Sequence, residues 1–213
     1  MKTDELVALL AAGAQPVPRR AATRRLALAM AIGLPLSIAL MLFEYGVRRD
    51  LVQTMFWPMF WVKLAIPACM AVASFLVVQR LARPGVRVRG AWAGLAAPVL
   101  LLWVLAVVVW MDAPAGERAA MGWGQTWRTC VFNIAAISLP LFVAAMVALK
   151  GLAPTRPALA GAAAGALAGS VGSAVYALHC PELAVPFLAI WYVAGIALPV
   201  LAGAAIGQRL LRW

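Results

Sequence analysis

Six stretches of this chain run near or beyond the length of a bilayer crossing with almost no charge: Leu26–Phe43, Leu51–Gln79, Gly90–Met111, Thr129–Leu149, Pro157–Leu178 and Leu183–Gln208. A helix crosses the hydrocarbon core with about 20 consecutive apolar residues. A soluble domain of 213 residues has too little interior to hide six such stretches. The chain is 65% hydrophobic and 12% charged, against about 45–50% and about 25% in soluble domains. A soluble globular domain, a disordered chain and a disulfide-stapled secreted module are therefore excluded. No run alternates polar and apolar residues, so a membrane barrel is excluded too. The expectation is an all-α membrane protein, a bundle of six transmembrane helices. The first run is longer than a signal-peptide core and is followed by Glu44-Tyr45 rather than a small-residue cleavage site. It reads as an uncleaved span.

Six spans place both ends of the chain on one side. The N-terminal segment, the loop after span two, the loop after span four and the tail carry thirteen Lys and Arg, among them Arg20, Arg80, Lys150 and Arg212. The opposite loops carry four: Arg48, Arg49, Arg118 and Arg128. Cytoplasmic loops collect positive charge, so both termini are expected in the cytoplasm and the protein in a bacterial inner membrane. The same bias accounts for the net charge of +11 without nucleic acid, and no direct nucleic-acid partner is expected beside the lipid bilayer. The organisation reads as a cytoplasmic segment over 1–25 and a six-helix membrane domain over 26–213. The N-terminal segment and the longest outer loop, from Asp112 to Arg128, are both too short to fold alone.

Enzyme chemistry is poorly provided for. There is one histidine, and no nucleophile triad, phosphate loop or HExxH appears; the chain is not expected to be an enzyme. Lys63 is the one ionisable residue inside a span. A central lysine costs about 2.5–3.5 kcal/mol on insertion scales, less if it snorkels. Two possibilities stay open: a buried partner such as Glu44 or a gate, or an ammonium snorkelling to the outer interface beside Trp57 and Trp61. Cys69, deep in span two, reads as a small hydrophobe. Cys130 begins span four, and Cys180 follows span five in His179-Cys180-Pro181-Glu182. The charge argument puts both at the outer face, where an oxidising periplasm lets disulfides persist. Spans four and five are neighbours through a short loop, so the two thiols can approach. Three possibilities remain: a static disulfide, two unrelated cysteines, or a redox- or metal-responsive pair. In the last, His179 and Glu182 add ligands for a transient metal ion. No resident cofactor is expected.

Gly161, Gly165, Gly169 and Ser173 in span five, and Gly195, Pro199, Gly203 and Gly207 in span six, recur at helical spacing. They read as small faces for close helix packing. Trp57, Trp61, Trp92, Trp110, Trp123, Trp127 and Trp213 sit at span ends as an aromatic belt.

The first residues predict a short helix over 3–12. Thr3 suits its cap, and Asp4 and Glu5 suit its first turn. Leu6, Leu9 and Leu10 share one face, and Gly13, Pro16 and Pro18 end it. So short a helix needs a surface against which to bury its leucines. Its polar face is acidic, which favours a protein groove over lipid.

Several segments together resemble a family. They are Met1-Lys2-Thr3-Asp4-Glu5-Leu6 leading into Pro16-Val17-Pro18-Arg19-Arg20, Pro58-Met59-Phe60-Trp61-Val62-Lys63 and Arg80-Leu81-Ala82-Arg83-Pro84-Gly85. His179-Cys180-Pro181-Glu182, Trp191-Tyr192 with Gly195, and Leu210-Leu211-Arg212-Trp213 follow. In this order along six spans, the chain resembles the NrsF-type multi-pass anti-sigma factors of proteobacteria. The resemblance implies an inner-membrane protein whose cytoplasmic N-terminal segment sequesters an extracytoplasmic-function sigma factor until an outside signal releases it. It places the family's paired cysteines at Cys130 and Cys180 and not at Cys69. It assigns the partner to the helix bearing Thr3, Asp4, Glu5, Leu6, Leu9 and Leu10. The rival classes are a small-solute transporter, which needs a polar midplane path, and a membrane thiol oxidoreductase, which commonly uses a Cys-x-x-Cys that this chain lacks.

Overall fold

The computed structural model describes residues 3–12, 20–83, 85–86, 88 and 90–212. The expected helix stop at Gly13, Pro16 and Pro18 lies outside the described residues, as do Lys2, Arg19, Arg87, Arg89 and Trp213 of the charge and belt assignments. The described residues contain helices and turns and no strand. Six helical segments are long and apolar enough to cross a membrane.

The first helix, α1 (Thr3–Ala12), has no buried residue. The long α2 (Ala21–Glu44) follows. It begins before the expected Leu26, so Arg24 and Arg25 belong to the helix, because Ala22 and Leu26 on its inner face are already buried. The second apolar run is not one span. A single turn, α3 (Leu51–Thr54), precedes α4 (Pro58–Leu81). Trp57 between them is extended and Pro58 opens α4, since the residue before a proline is pushed from helical geometry and proline suits the first helical position. The edge helix α5 (Ala91–Asp112) buries only Leu102 and Ala106. The expected outer loop contains a further helix, α6 (Ala115–Trp123). Then come α7 (Trp127–Lys150) and α8 (Pro157–Tyr176). The last span starts with α9 (Val185–Phe187), passes through a π-helical turn over Leu188–Tyr192 and ends in α10 (Val193–Leu210).

Most residues of α8 are buried, and α10, α4, α7 and α2 pack around it. The small faces explain this. A methyl group on Gly161 or Gly203 would run into the other's carbonyl, and one on Gly165 into the Pro199 carbonyl. The α2–α7 seam is similar: a Cβ on Gly33 would lie 2.6 Å from Leu141 Cα. Without Cβ atoms the backbones meet closely, which is how helices gain contact where surrounding lipid is as apolar as their side chains.

The antiparallel order gives the bundle two distinct ends. At one end the N-terminus of α2 meets the ends of α4 and α7: Thr23 Oγ1 accepts from Gln79 Nε2 at 2.6 Å, and Arg25 Nη1 donates to the Gly151 carbonyl at 2.5 Å. The N-terminus of α2, which α1 precedes in the chain, lies here with the C-terminal end of α10, whose Gly207 faces Pro157 at the start of α8. At the other end the start of α7 meets the loop between α8 and α9.

Candidate functional site

The second end holds a polar cluster sealed beneath aromatic rings. Its centre is the loop 177–184, which returns the chain from α8 to α9. Cys180 in this loop and Cys130 in the first turn of α7 are both fully buried and unbridged. The two thiols are close enough for each to influence the other's ionisation. Thr126, just before α7, places its hydroxyl 4.0 Å from Cys180 Sγ.

Lys63 comes from the second turn of α4 and is 1% exposed. It does not snorkel, and it does not meet Glu44. Its Nζ donates to the Cys180 carbonyl at 2.7 Å and the Glu182 carbonyl at 2.8 Å, and lies 5.4 Å from the centroid of the Tyr192 ring. The return loop turns its carbonyls into the bundle, and a long side chain from the facing helix is what can reach them. These contacts satisfy polar groups that would otherwise be orphaned in an apolar interior. Beside the Lys63 stem is an apolar cavity of about 20 Å³ bordered by Ile66, Met70 and Leu188. It has room for a single water.

The cluster is clamped from above. Glu182 Oε1 accepts from the backbone N–H groups of Gln125 at 2.6 Å and Thr126 at 3.1 Å, orphan donors at the start of α7. Arg48 grips Asp50 through two bonds of 2.7 Å and extends Nη1 to the Cys180 carbonyl at 3.3 Å. The bidentate guanidinium pulls the Asp50 carboxyl down to about 2. His179 Nδ1 bonds the Gly46 carbonyl at 3.0 Å and its ring lies between Tyr45 and Tyr176. Trp123, Trp127 and Trp191 stack on one another nearby, and Trp191 Nε1 donates to the Gly122 carbonyl.

The expected ligand set is not assembled. His179 and Glu182 are turned to backbone partners, and no group of three or more His, Cys, Asp or Glu side chains converges among the described residues. Cys69, expected to be buried, is exposed on the outside of α4, because the inner face there is taken by Lys63, Pro67 and Met70. Tyr192, Thr126 and Arg48 escaped the sequence reading. A phenol inside an apolar span is the one signal that pointed to Tyr192. The π-helical turn, which changes the register of the helix face, has no sequence signature.

The Cys180 thiol lies in the loop outside the spans and is held below the ordinary thiol range. The hydrogen bond from Cys130 is the largest cause, and the Lys63 ammonium and the Glu182 backbone N–H add to it against the opposing effect of burial. The site can therefore present one sulfur as a thiolate with a second thiol in contact.

Residues 10–213 match the family described as "Negative regulator of sigma F", NrsF. The chain belongs to the NrsF family. It is 44% identical to the probable anti-sigma-F factor NrsF of Azospira oryzae over the full length of both. It is 39% identical to the anti-sigma-F factor NrsF of Caulobacter vibrioides, again over the whole of both chains. No solved structure matches it. The family description is that of a negative regulator of a sigma factor, and both relatives are named as anti-sigma-F factors.

Proposed function

We propose that this protein is an inner-membrane anti-sigma factor with both termini in the cytoplasm. It holds an extracytoplasmic-function sigma factor through α1 and releases it when the Cys130–Cys180 pair changes oxidation state at the periplasmic face. The observation that carries this is the meeting of two buried thiols, 50 positions apart in sequence, at the opposite end of the bundle from the root of α1. A receiver and an effector at opposite ends of one rigid bundle suit a signal that must cross a bilayer.

The effector is α1. Leu6, Leu9 and Leu10 are 40%, 69% and 65% exposed, and α1 has no buried residue. A ten-residue helix is marginal alone, and docking its leucines in a groove of the sigma factor supplies the missing burial. Its acidic first turn, Asp4 and Glu5, would meet basic side chains of the partner. The link between the ends is α7. It carries Cys130 at its start, packs along α2 at Gly33, and receives Arg25 of α2 at Gly151 beyond its other end. A shift of α7 therefore reaches the helix from which α1 hangs.

The test is capture by the full-length protein in membranes, with each extracytoplasmic-function sigma factor of the source genome expressed alongside. The wild type is expected to retain one of them, and Leu6→Glu with Leu9→Glu to lose it at unchanged membrane level. Failure to retain any, or retention unaffected by the two charges, would overturn the proposal.

A further inference from the structure

Lys63 presents a charge without an anion. It is 1% exposed, yet among the described residues the ion pair within 4 Å is Arg48 with Asp50, not Lys63 with anything. Its hydrogen-bond acceptors are two neutral carbonyls. The Glu182 carboxylate is held by the Gln125 and Thr126 amides. The remaining groups facing the cluster cannot supply negative charge: Arg48 from the α2–α3 loop is cationic, and Tyr176 and Tyr192 are phenols, neutral below about pH 10. An unpaired charge in an apolar interior is strongly disfavoured. The sulfur of Cys180, the residue whose own carbonyl Lys63 holds at 2.7 Å, is the acceptor left.

We propose that Lys63 is the counter-ion of a Cys180 thiolate, so that Cys180 is the attacking sulfur, Cys130 the resolving one, and Lys63 the positioning residue that turns oxidation into a change of packing. This rests on the redox function proposed above and adds its direction. With a peroxide as oxidant, the Cys180 thiolate attacks one oxygen; the S–O bond forms, the O–O bond breaks, and hydroxide leaves. Sulfur loses two electrons to the peroxide. Cys130 sulfur then attacks the sulfenic acid; the S–S bond forms, the S–O bond breaks, and the departing hydroxyl leaves as water with the Cys130 proton. The thiolate's negative charge has left with the hydroxide, and Lys63 retains its positive one. The adjoining cavity is apolar and holds no more than one water, so the ammonium is left with two neutral carbonyls, and movement of α4 away from the 177–184 loop relieves it. The oxidised form is the loosened one, and the reduced form holds the partner.

The experiment follows disulfide formation by hydrogen peroxide in the full-length protein in detergent, as the loss of two hydrogens in the intact mass, from about pH 5 to about pH 9. A free thiol titrates near about 8.5. The wild type is expected to keep most of its rate at about pH 6, and Lys63→Met to fall at least about tenfold there, its profile moving up by a pH unit or more. Lys63→Arg, which keeps the charge, should restore the wild-type profile. A Lys63→Met profile overlaying the wild type would overturn the proposal. If that variant fails to fold, the wild-type profile decides: a midpoint in the ordinary thiol range overturns the proposal equally. Sigma-factor capture with and without peroxide is read in parallel. Capture indifferent to peroxide would sink the redox function while leaving the ion pair intact, and an unshifted Lys63→Met profile would do the reverse.

Discussion

At the scale of single residues, the cluster works by leaving some groups few options. Removing one partner from a buried ion pair costs about 3–5 kcal/mol. Inverting a two-state equilibrium from 1:99 to 99:1 takes about 5.5 kcal/mol, so in the proposed switch one stranded ammonium would supply most of what is required. Glu182 has a different task from the ligand role its neighbourhood suggested, because its carboxylate closes the start of α7. Glu182→Ala leaves two amides unpaired and is expected to destabilise the bundle by about 1–2 kcal/mol, in the range of lost helix caps. Thermal unfolding in detergent would register this as a lower midpoint, with Glu182→Gln intermediate because its amide oxygen still accepts. The sequence pointed at Cys130, Cys180, Glu182 and Lys63 because polar or reactive groups are rare in so apolar a chain. It was silent on their partners, since those are backbone carbonyls and amides that every residue carries.

At the scale of elements, the α8–α10 seam sets the tolerance of the fold. A methyl on Gly165 would enter the Pro199 carbonyl, whereas one on Gly116 or Gly122 of α6 would meet nothing within 4 Å. Gly165→Ala is therefore expected to cost about 1–3 kcal/mol by overpacking and Gly116→Ala to be near neutral; melting the two variants side by side checks the contrast. The spacing of small residues was legible because helical periodicity transmits it directly. The break at Trp57-Pro58 follows from local chemistry and was missed, because apolarity continues through it. The helix α6 was likewise read as a loop: nine residues with charged Glu117 and Arg118 look the same in composition whether coiled or bound to a surface.

At the scale of the whole molecule, six antiparallel spans put the thiol cluster and the root of α1 at opposite ends, and orientation decides which faces the cytoplasm. The excess of Lys and Arg at the α1 end predicts that a fluorescent protein fused after Arg212 is bright and that alkaline phosphatase fused there is inactive, with the opposite pair of results for fusions within 113–126. An active phosphatase after Arg212 would invert the proposed direction of signalling. The number of helices long and apolar enough to cross a membrane and the charge asymmetry were available from the chain alone, because hydrophobic length and charge are both summed locally along the sequence. Which helix lies at the centre, that Lys63 is buried rather than at the interface, and that it reaches the backbone of the loop carrying Cys180 required the packed bundle. Those facts depend on which faces meet across long separations in sequence, and a uniformly apolar helix does not announce the face it will turn inward.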